Sequence, residues 1–129
     1  MIRPYRDTDK ALLSGWLTDA SIAVEKQAHA EDETWVLEDD GQPVGFFTWR
    51  YEYCMPYLVH FIVRRESRCH RLARELVRGF KDALRRVGHR QTVVNVPERM
   101  GDVARLVEVY FGAKPYAHSD GHIFFLVEV

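Results

Sequence analysis

The sequence predicts an α+β domain, a mixed sheet covered by helices, and three observations carry that expectation. Apolar alternation and β-branched enrichment mark several short runs as strands, while three- to four-residue apolar spacing marks other stretches as helices. The order along the chain is strand, helix or helices, three strands, helix, strand, helix, two strands, which points to a mixed sheet covered by helices. The length, 129 residues with 47% hydrophobic and 29% charged, suffices for one compact core and hence one domain over residues 1–129.

The elements follow in order. Residues 1–5 read as a short strand, and the capping run Arg6-Asp7-Thr8-Asp9 precedes Ala11, Leu12, Leu13, Trp16 and Leu17, spaced for one helix face. Residues 21–30 read as a second short helix. A strand at 34–38, the turn Asp39-Asp40-Gly41-Gln42 and a strand at 43–53 form a hairpin. A further strand at 57–63 runs through a polar turn into a long amphipathic helix at 68–87. Its apolar stripe is Leu72, Leu76, Phe80, Leu84 and Val87, widened by Val77 and Ala83, and Gly88 ends it. A strand at 92–96, a helix at 101–111 stopped by Gly112, and two closing strands at 114–117 and 122–129 around Ser119-Asp120-Gly121 complete the chain.

Charge is unevenly placed. Residues 64–90 hold ten basic and three acidic side chains, a balance of +7, against eight and sixteen elsewhere, so the net charge of −1 conceals a polarised chain. Arg71, Arg74, Arg78, Lys81 and Arg85 form a basic ridge on the long helix, which reads either as a solvated helix face or as a surface for an anionic ligand. Direct nucleic-acid binding by this ridge ranks lowest, because the total charge is slightly negative and no aromatic residues interleave with it. No apolar run reaches membrane-spanning length and Met1 opens no secretory leader, so the sequence predicts a cytoplasmic chain without a membrane partner. Cys54 and Cys69 lack metal-ligand or CxxC spacing, and six scattered histidines do not suggest a metal site, although His118 and His122 could meet across the final hairpin. Trp16, Trp35 and Trp49 read as core or pocket walls. The acidic run Glu31-Asp32-Glu33 reads as a solvated loop or as an attraction for a cationic amine.

The distinctive junction is the strand at 57–63 passing through Arg64-Arg65-Glu66-Ser67 into the Arg-rich helix. A helix start presents unbonded backbone N–H groups and a positive dipole end, which suits phosphate. With the order of elements, the stretch Arg68-Cys69-His70-Arg71-Leu72-Ala73 resembles the pyrophosphate-binding turn of the GNAT superfamily of N-acetyltransferases, R/Q-x-x-G-x-G/A. Met1-Ile2-Arg3-Pro4 with Asp7 to Asp9, Gln42-Pro43-Val44-Gly45-Phe46-Phe47, and Phe111-Gly112-Ala113-Lys114-Pro115-Tyr116 are similar to other parts of that family. The similarity covers essentially the whole chain by element order and a dozen or so residues by motif.

The resemblance implies a mixed, mainly antiparallel central sheet of six to seven strands flanked by three to four helices. It also implies acetyl-CoA as co-substrate and transfer of its acetyl group to a primary amine, on a small molecule or a protein, by direct attack. The cofactor-binding residues would be Ile62, Val63, Arg68, Cys69, His70, Arg71, Leu72, Ala73 and Asn95. His60 on the preceding strand is the candidate proton acceptor, with a core histidine as the alternative, and Glu52 is a second candidate.

The motif is degenerate at two places. Arg71 stands where the family has its central glycine, so that either its side chain swings outward and adds charge or CoA binding is weakened. Glu108 stands four residues before Gly112, where the family often has the tyrosine that protonates the departing thiolate, and Tyr110 is the nearest phenol. These departures motivate an alternative, an inactive member serving as a binding or assembly subunit, as in some phage proteins that look like eroded GNAT domains. A homodimer sharing the apolar closing strand Ile123-Phe124-Phe125-Leu126-Val127 is open at this stage, as is burial of that strand within one chain.

Overall fold

The structure, a computed structural model, describes residues 1–19, 32–52 and 54–129. The helix expected at 21–30 and Glu31 of the acidic run lie outside them. The strands are β1 (Ile2–Pro4), β2 (Glu33–Asp39), β3 (Gln42–Glu52), β4 (Met55–Val63), β5 (Gln91–Pro97), β6 (Lys114–Ser119) and β7 (His122–Glu128). The helices among the described residues are α1 (Lys10–Asp19), α2 (His70–Arg86) and α3 (Gly101–Phe111), with single 3₁₀ turns at Asp7–Asp9 and Arg65–Ser67. Hydrogen-bonded neighbours run β1-β2-β3-β4-β5-β7-β6. The β4–β5 pair is parallel, and the β1–β2, β2–β3, β5–β7 and β6–β7 pairs are antiparallel, which gives the mixed, mainly antiparallel seven-stranded sheet expected.

One expectation is corrected, and of the two alternatives open for the closing strand the structure takes burial within one chain. The long helix begins at His70 and not at Arg68, because Arg68 is extended (φ −64°, ψ 117°) after the Arg65–Ser67 turn. The apolar closing strand is internal to the sheet: β7 pairs with β5 on one side and β6 on the other, so it offers no free edge for sharing between copies. The edge strands are β1 and β6, and the residues of β6 are nearly all exposed.

The chain forms two compact units, one of Met1–Arg50 with Val59–Leu76, the other of Tyr51–Leu58 with Val77–Val129. In the first, Asp40 and Gly41 both take positive φ (50° and 74°), the geometry of a two-residue hairpin turn, and join β2 to β3. Leu13 and Leu17 of α1, Val36 of β2 and Phe46 of β3 are buried together, with Tyr5, Trp16 and Ile62 packed against them. In the second unit β5 and β7 supply Val93, Val94, Val96, Phe125 and Val127 to the interior, beside Phe80 of α2 and Phe111 of α3, whose rings meet edge to face at 6.0 Å. The predicted stops hold. Gly88 and Gly112 take the left-handed conformation that closes α2 and α3 (φ 89° and 65°), and the His89 N–H donates back to the Leu84 carbonyl.

One buried ionic group anchors the start of the first unit. Arg3 donates from Nη1 and Nη2 to both carboxylate oxygens of Asp9 (2.9 and 2.8 Å), and from Nε to Glu38. Asp9 also accepts the Arg6 N–H at 2.8 Å, which closes the 3₁₀ turn leading into α1. The guanidinium holds the Asp9 carboxyl below its ordinary value, its hydrogen bonds outweighing the upward push of burial. A carboxyl depressed in the folded state contributes stability above its unfolded pKa and loses it as pH falls through the folded one. Wild type should therefore exceed Asp9→Asn by about 3 kcal/mol at neutral pH, and the gap should shrink below pH 3.8. Denaturant melts across the acid range check this; a constant gap down to pH 2 (about two units below the ordinary carboxyl value) would contradict it.

Candidate functional site

The junction between β4 and α2 lies within the first unit, and its geometry follows from close backbone packing. A Cβ built on Gly45 of β3 would stand 2.7 Å from the Ile62 carbonyl oxygen of β4 and 3.6 Å from Leu76 Cδ2 of α2, so only glycine permits this approach. One residue past β4, the Arg64 N–H donates to the Val44 carbonyl at 2.8 Å. The chain then turns through Arg65–Ser67, where Arg64 Nε donates to Ser67 Oγ (2.6 Å). Arg68 Nε donates to the Val63 carbonyl (3.0 Å). Two of the arginines at the turn are thus folded back onto their own loop.

The first i→i−4 hydrogen bond of α2 runs from the Ala73 N–H to the Cys69 carbonyl at 3.1 Å. By helix geometry the amides of the first turn precede it and point out of the helix start. Leu72 is buried at 2% exposure and ties this turn to the core, whereas Cys69, His70 and Arg71 are exposed. The Arg71 side chain has a defined direction. Its guanidinium reaches Asp39 at the end of β2 (3.2 and 3.5 Å) and lies 3.8 Å from Glu75 one turn on, so the side chain swings outward over the helix flank. Its pKa is raised, chiefly by the hydrogen bond to Asp39.

The other candidates divide between the units. His60, in the first unit, is 4% exposed, and its ring meets Phe46 edge to face at 6.0 Å. Ile62, two residues on, packs against the cluster of Leu13, Leu17, Val36 and Phe46. Ile62 is half-buried and Val63 is buried with its carbonyl taken by Arg68. In the second unit Glu52 ends β3 in an exposed position, Asn95 is exposed on β5 opposite Phe124, and Tyr110 is half-buried on α3. Glu108 is exposed. The registered β4–β5 pairs among the described residues, Tyr57 with Val93 and Leu58 with Val94, also fall within that unit.

Several features of the sequence find structural employment. Asp32 of the acidic run accepts from Arg50 Nη2 at 3.0 Å and is almost fully buried, which compensates its charge. On the basic ridge, Arg71 is held by Asp39, Lys81 donates to the Phe111 carbonyl at the end of α3 (3.2 Å), and Arg85 pairs with Asp82 (3.2 Å). Cys54 is exposed in the β3–β4 turn with positive φ (62°). His118 lies against Glu98 (3.4 Å) and opposite Ile123, while His122 donates from Nδ1 to the Asp120 carbonyl (3.0 Å). Sequence reasoning missed Asp39 as the partner of Arg71; the residue was visible only as part of a hairpin turn. No helix among the described residues is long and apolar enough to cross a membrane.

Comparison with known proteins bears on this junction. The sequence matches the family model described as the acetyltransferase (GNAT) family over residues 2–110. Among curated protein sequences none matches it. Among solved structures, the IAA acetyltransferase from Bacillus cereus is 12% identical with a TM-score of 0.81, over 100% of this chain and 99% of that one. A Bacillus subtilis acetyltransferase in complex with CoA is 11% identical with a TM-score of 0.79, over 99% and 97%. The ribosomal-protein-S18-alanine N-acetyltransferase from Escherichia coli is 17% identical with a TM-score of 0.74, over 100% and 93%. At these identities the likeness is one of fold.

Proposed function

The chain belongs to the GNAT acetyltransferase family, and from that membership we propose that residues 1–129 form an N-acyltransferase domain that moves an acetyl group from acetyl-CoA to a primary amine. The observation that carries the reading is the start of α2. Its first-turn amides precede the Ala73–Cys69 bond, and the one bulky side chain at the family's glycine position is drawn aside to Asp39. The residues there fit a pyrophosphate: backbone donors and a helix dipole supply the attraction, and Arg68 and His70 flank them exposed. Only the Cβ of Arg71 remains where the family has none. Acetyl-CoA supplies an activated acyl group, so the chain's own work is to bind the diphosphate, align the thioester and manage two protons.

In this reading the neutral amine attacks the thioester carbonyl, a C–N bond forms and the C–S bond breaks. The amine's proton passes to His60, with Glu52 as the second acceptor, and Tyr110 supplies a proton to the thiolate. The family resemblance assigns the rest of the cofactor to Ile62 and Val63 on β4 and to the exposed Asn95 on β5. The acceptor is an amine on a small molecule or a protein.

A specific observation favours the second reading, an inactive member acting as a binding subunit: Arg71 still carries a Cβ at the cradle, and an exposed glutamate, Glu108, holds the family's tyrosine position. Isothermal titration separates the two. Acetyl-CoA should bind with micromolar to submillimolar affinity, and Arg68→Glu should weaken it at least about tenfold by putting a negative charge beside the diphosphate. Absence of heat at millimolar acetyl-CoA would leave only the binding-subunit reading. For the chemistry, His60→Gln should bind acetyl-CoA like wild type but lose about 100-fold or more in kcat. Unchanged kcat with a lowered melting temperature would assign His60 to the core beside Phe46 and move the proton to Glu52.

A further inference from the structure

Arg71 is the second residue of α2, and the Cα–Cβ bonds of a helix tilt towards its N-terminus. The side chain therefore leaves the backbone in the direction of the opening turn, even though its guanidinium ends on Asp39. That hold is loose. Its two N–H···O distances, 3.2 and 3.5 Å, exceed the about 2.7–2.9 Å of a tight charge-assisted bond. The Arg71 side chain is 65% exposed, and an ion pair so open to water contributes little. Glu75, 3.8 Å from Arg71, already accepts from the Met1 ammonium at 2.9 Å. Arg64 and Arg68, by contrast, are fastened to their own loop at 2.6 and 3.0 Å.

We propose that Arg71 exchanges partners when CoA binds, passing from Asp39 to the diphosphate, and that Asp39 is the positioning residue that holds it beside the cradle. The proposal rests on the acyltransferase reading and deepens it. A diphosphate carries more than one negative charge, and guanidinium–phosphate pairs form two parallel, short hydrogen bonds. Such an acceptor outcompetes the long contact to a single, partly exposed carboxylate. The charge of the guanidinium then offsets the approach that its Cβ hinders at the family's glycine position. The exchange also fixes a sign: Asp39 competes with the ligand for Arg71, so removing its carboxylate tightens binding.

Isothermal titration of the full chain with CoA tests this in wild type, Arg71→Ala, Asp39→Asn and the double variant, each first shown to be folded by circular dichroism. Arg71→Ala keeps the Cβ and removes the guanidinium, so Kd should rise about fivefold or more. Asp39→Asn should lower Kd about threefold, and should change it by less than about 1.5-fold once Arg71 is gone. With 3′-dephospho-CoA, which retains the diphosphate, the Arg71→Ala effect should be as large as with CoA. Arg71→Ala binding as tightly as wild type or more tightly overturns the exchange, as does an Arg71→Ala effect that vanishes with 3′-dephospho-CoA. Asp39→Asn that fails to tighten binding, or tightens it equally without Arg71, overturns the role of Asp39. A wild type that binds no CoA removes the acyltransferase reading and the exchange with it, an outcome distinct from a wild type that binds and is matched by Arg71→Ala.

Discussion

The approach of β3 to β4 at Gly45 is the constraint on which the rest of the first unit depends. Without a side chain at that position, the Ile62 carbonyl, the Val63 backbone and Leu76 of α2 come together around one Cα. The bond from the Arg64 N–H to Val44 follows directly and fixes where β4 leaves the sheet. Once that exit is set, the Arg65–Ser67 turn and the extended Arg68 have little freedom, and Leu72 and Leu76 bury the inner face of α2. The orientation of the helix start, and hence of its amides, is a consequence of strand packing and owes little to helix propensity.

Electrostatics act on that frame in two different ways. In the interior, Arg3 is wrapped by the carboxylates of Asp9 and Glu38 and serves as a staple between β1, β2 and the entry to α1. Such a group is costly to break and specific in geometry. On the surface, the positive segment is partly compensated: Arg71, Lys81 and Arg85 each have an intramolecular partner. Three of the five cations of the ridge are therefore locally paired, while Arg74 and Arg78 are exposed. This weakens the case for nucleic acid and concentrates attention on the turn, where Arg64 and Arg68 bond to their own loop and Arg65 is exposed.

Much of the fold was legible because periodicity reports burial. The stripe from Leu72 to Leu84 does line the interior, though Val87, expected to continue it, lies past the end of α2 and is exposed; the Asp-Gly turns at 40–41 and 120–121 do take positive φ, and Gly112 does close α3. What escaped the sequence was long-range pairing. Arg71 and Asp39 are 32 residues apart, and no local pattern joins them. Arg68 sits on the helical period yet is extended, because the preceding 3₁₀ turn and its bond to Val63 outweigh intrinsic preference. The closing strand's apolar character reflected a central place in the sheet and not an edge, a distinction that composition alone does not carry. At the candidate site, the positions of the motif were readable, but the direction of the Arg71 side chain, on which the fit of a diphosphate turns, was not.

The proposed acyl transfer requires the opening turn of α2 to act as an anion cradle whose amides grip a diphosphate. Backbone NMR during titration with CoA addresses it residue by residue. Such a cradle predicts that the largest amide shift changes fall on Cys69 through Leu72, ahead of the Ala73–Cys69 bond, and saturate together with a single affinity. Saturating binding that leaves those four amides unmoved, with changes confined to other parts of the chain, would contradict it.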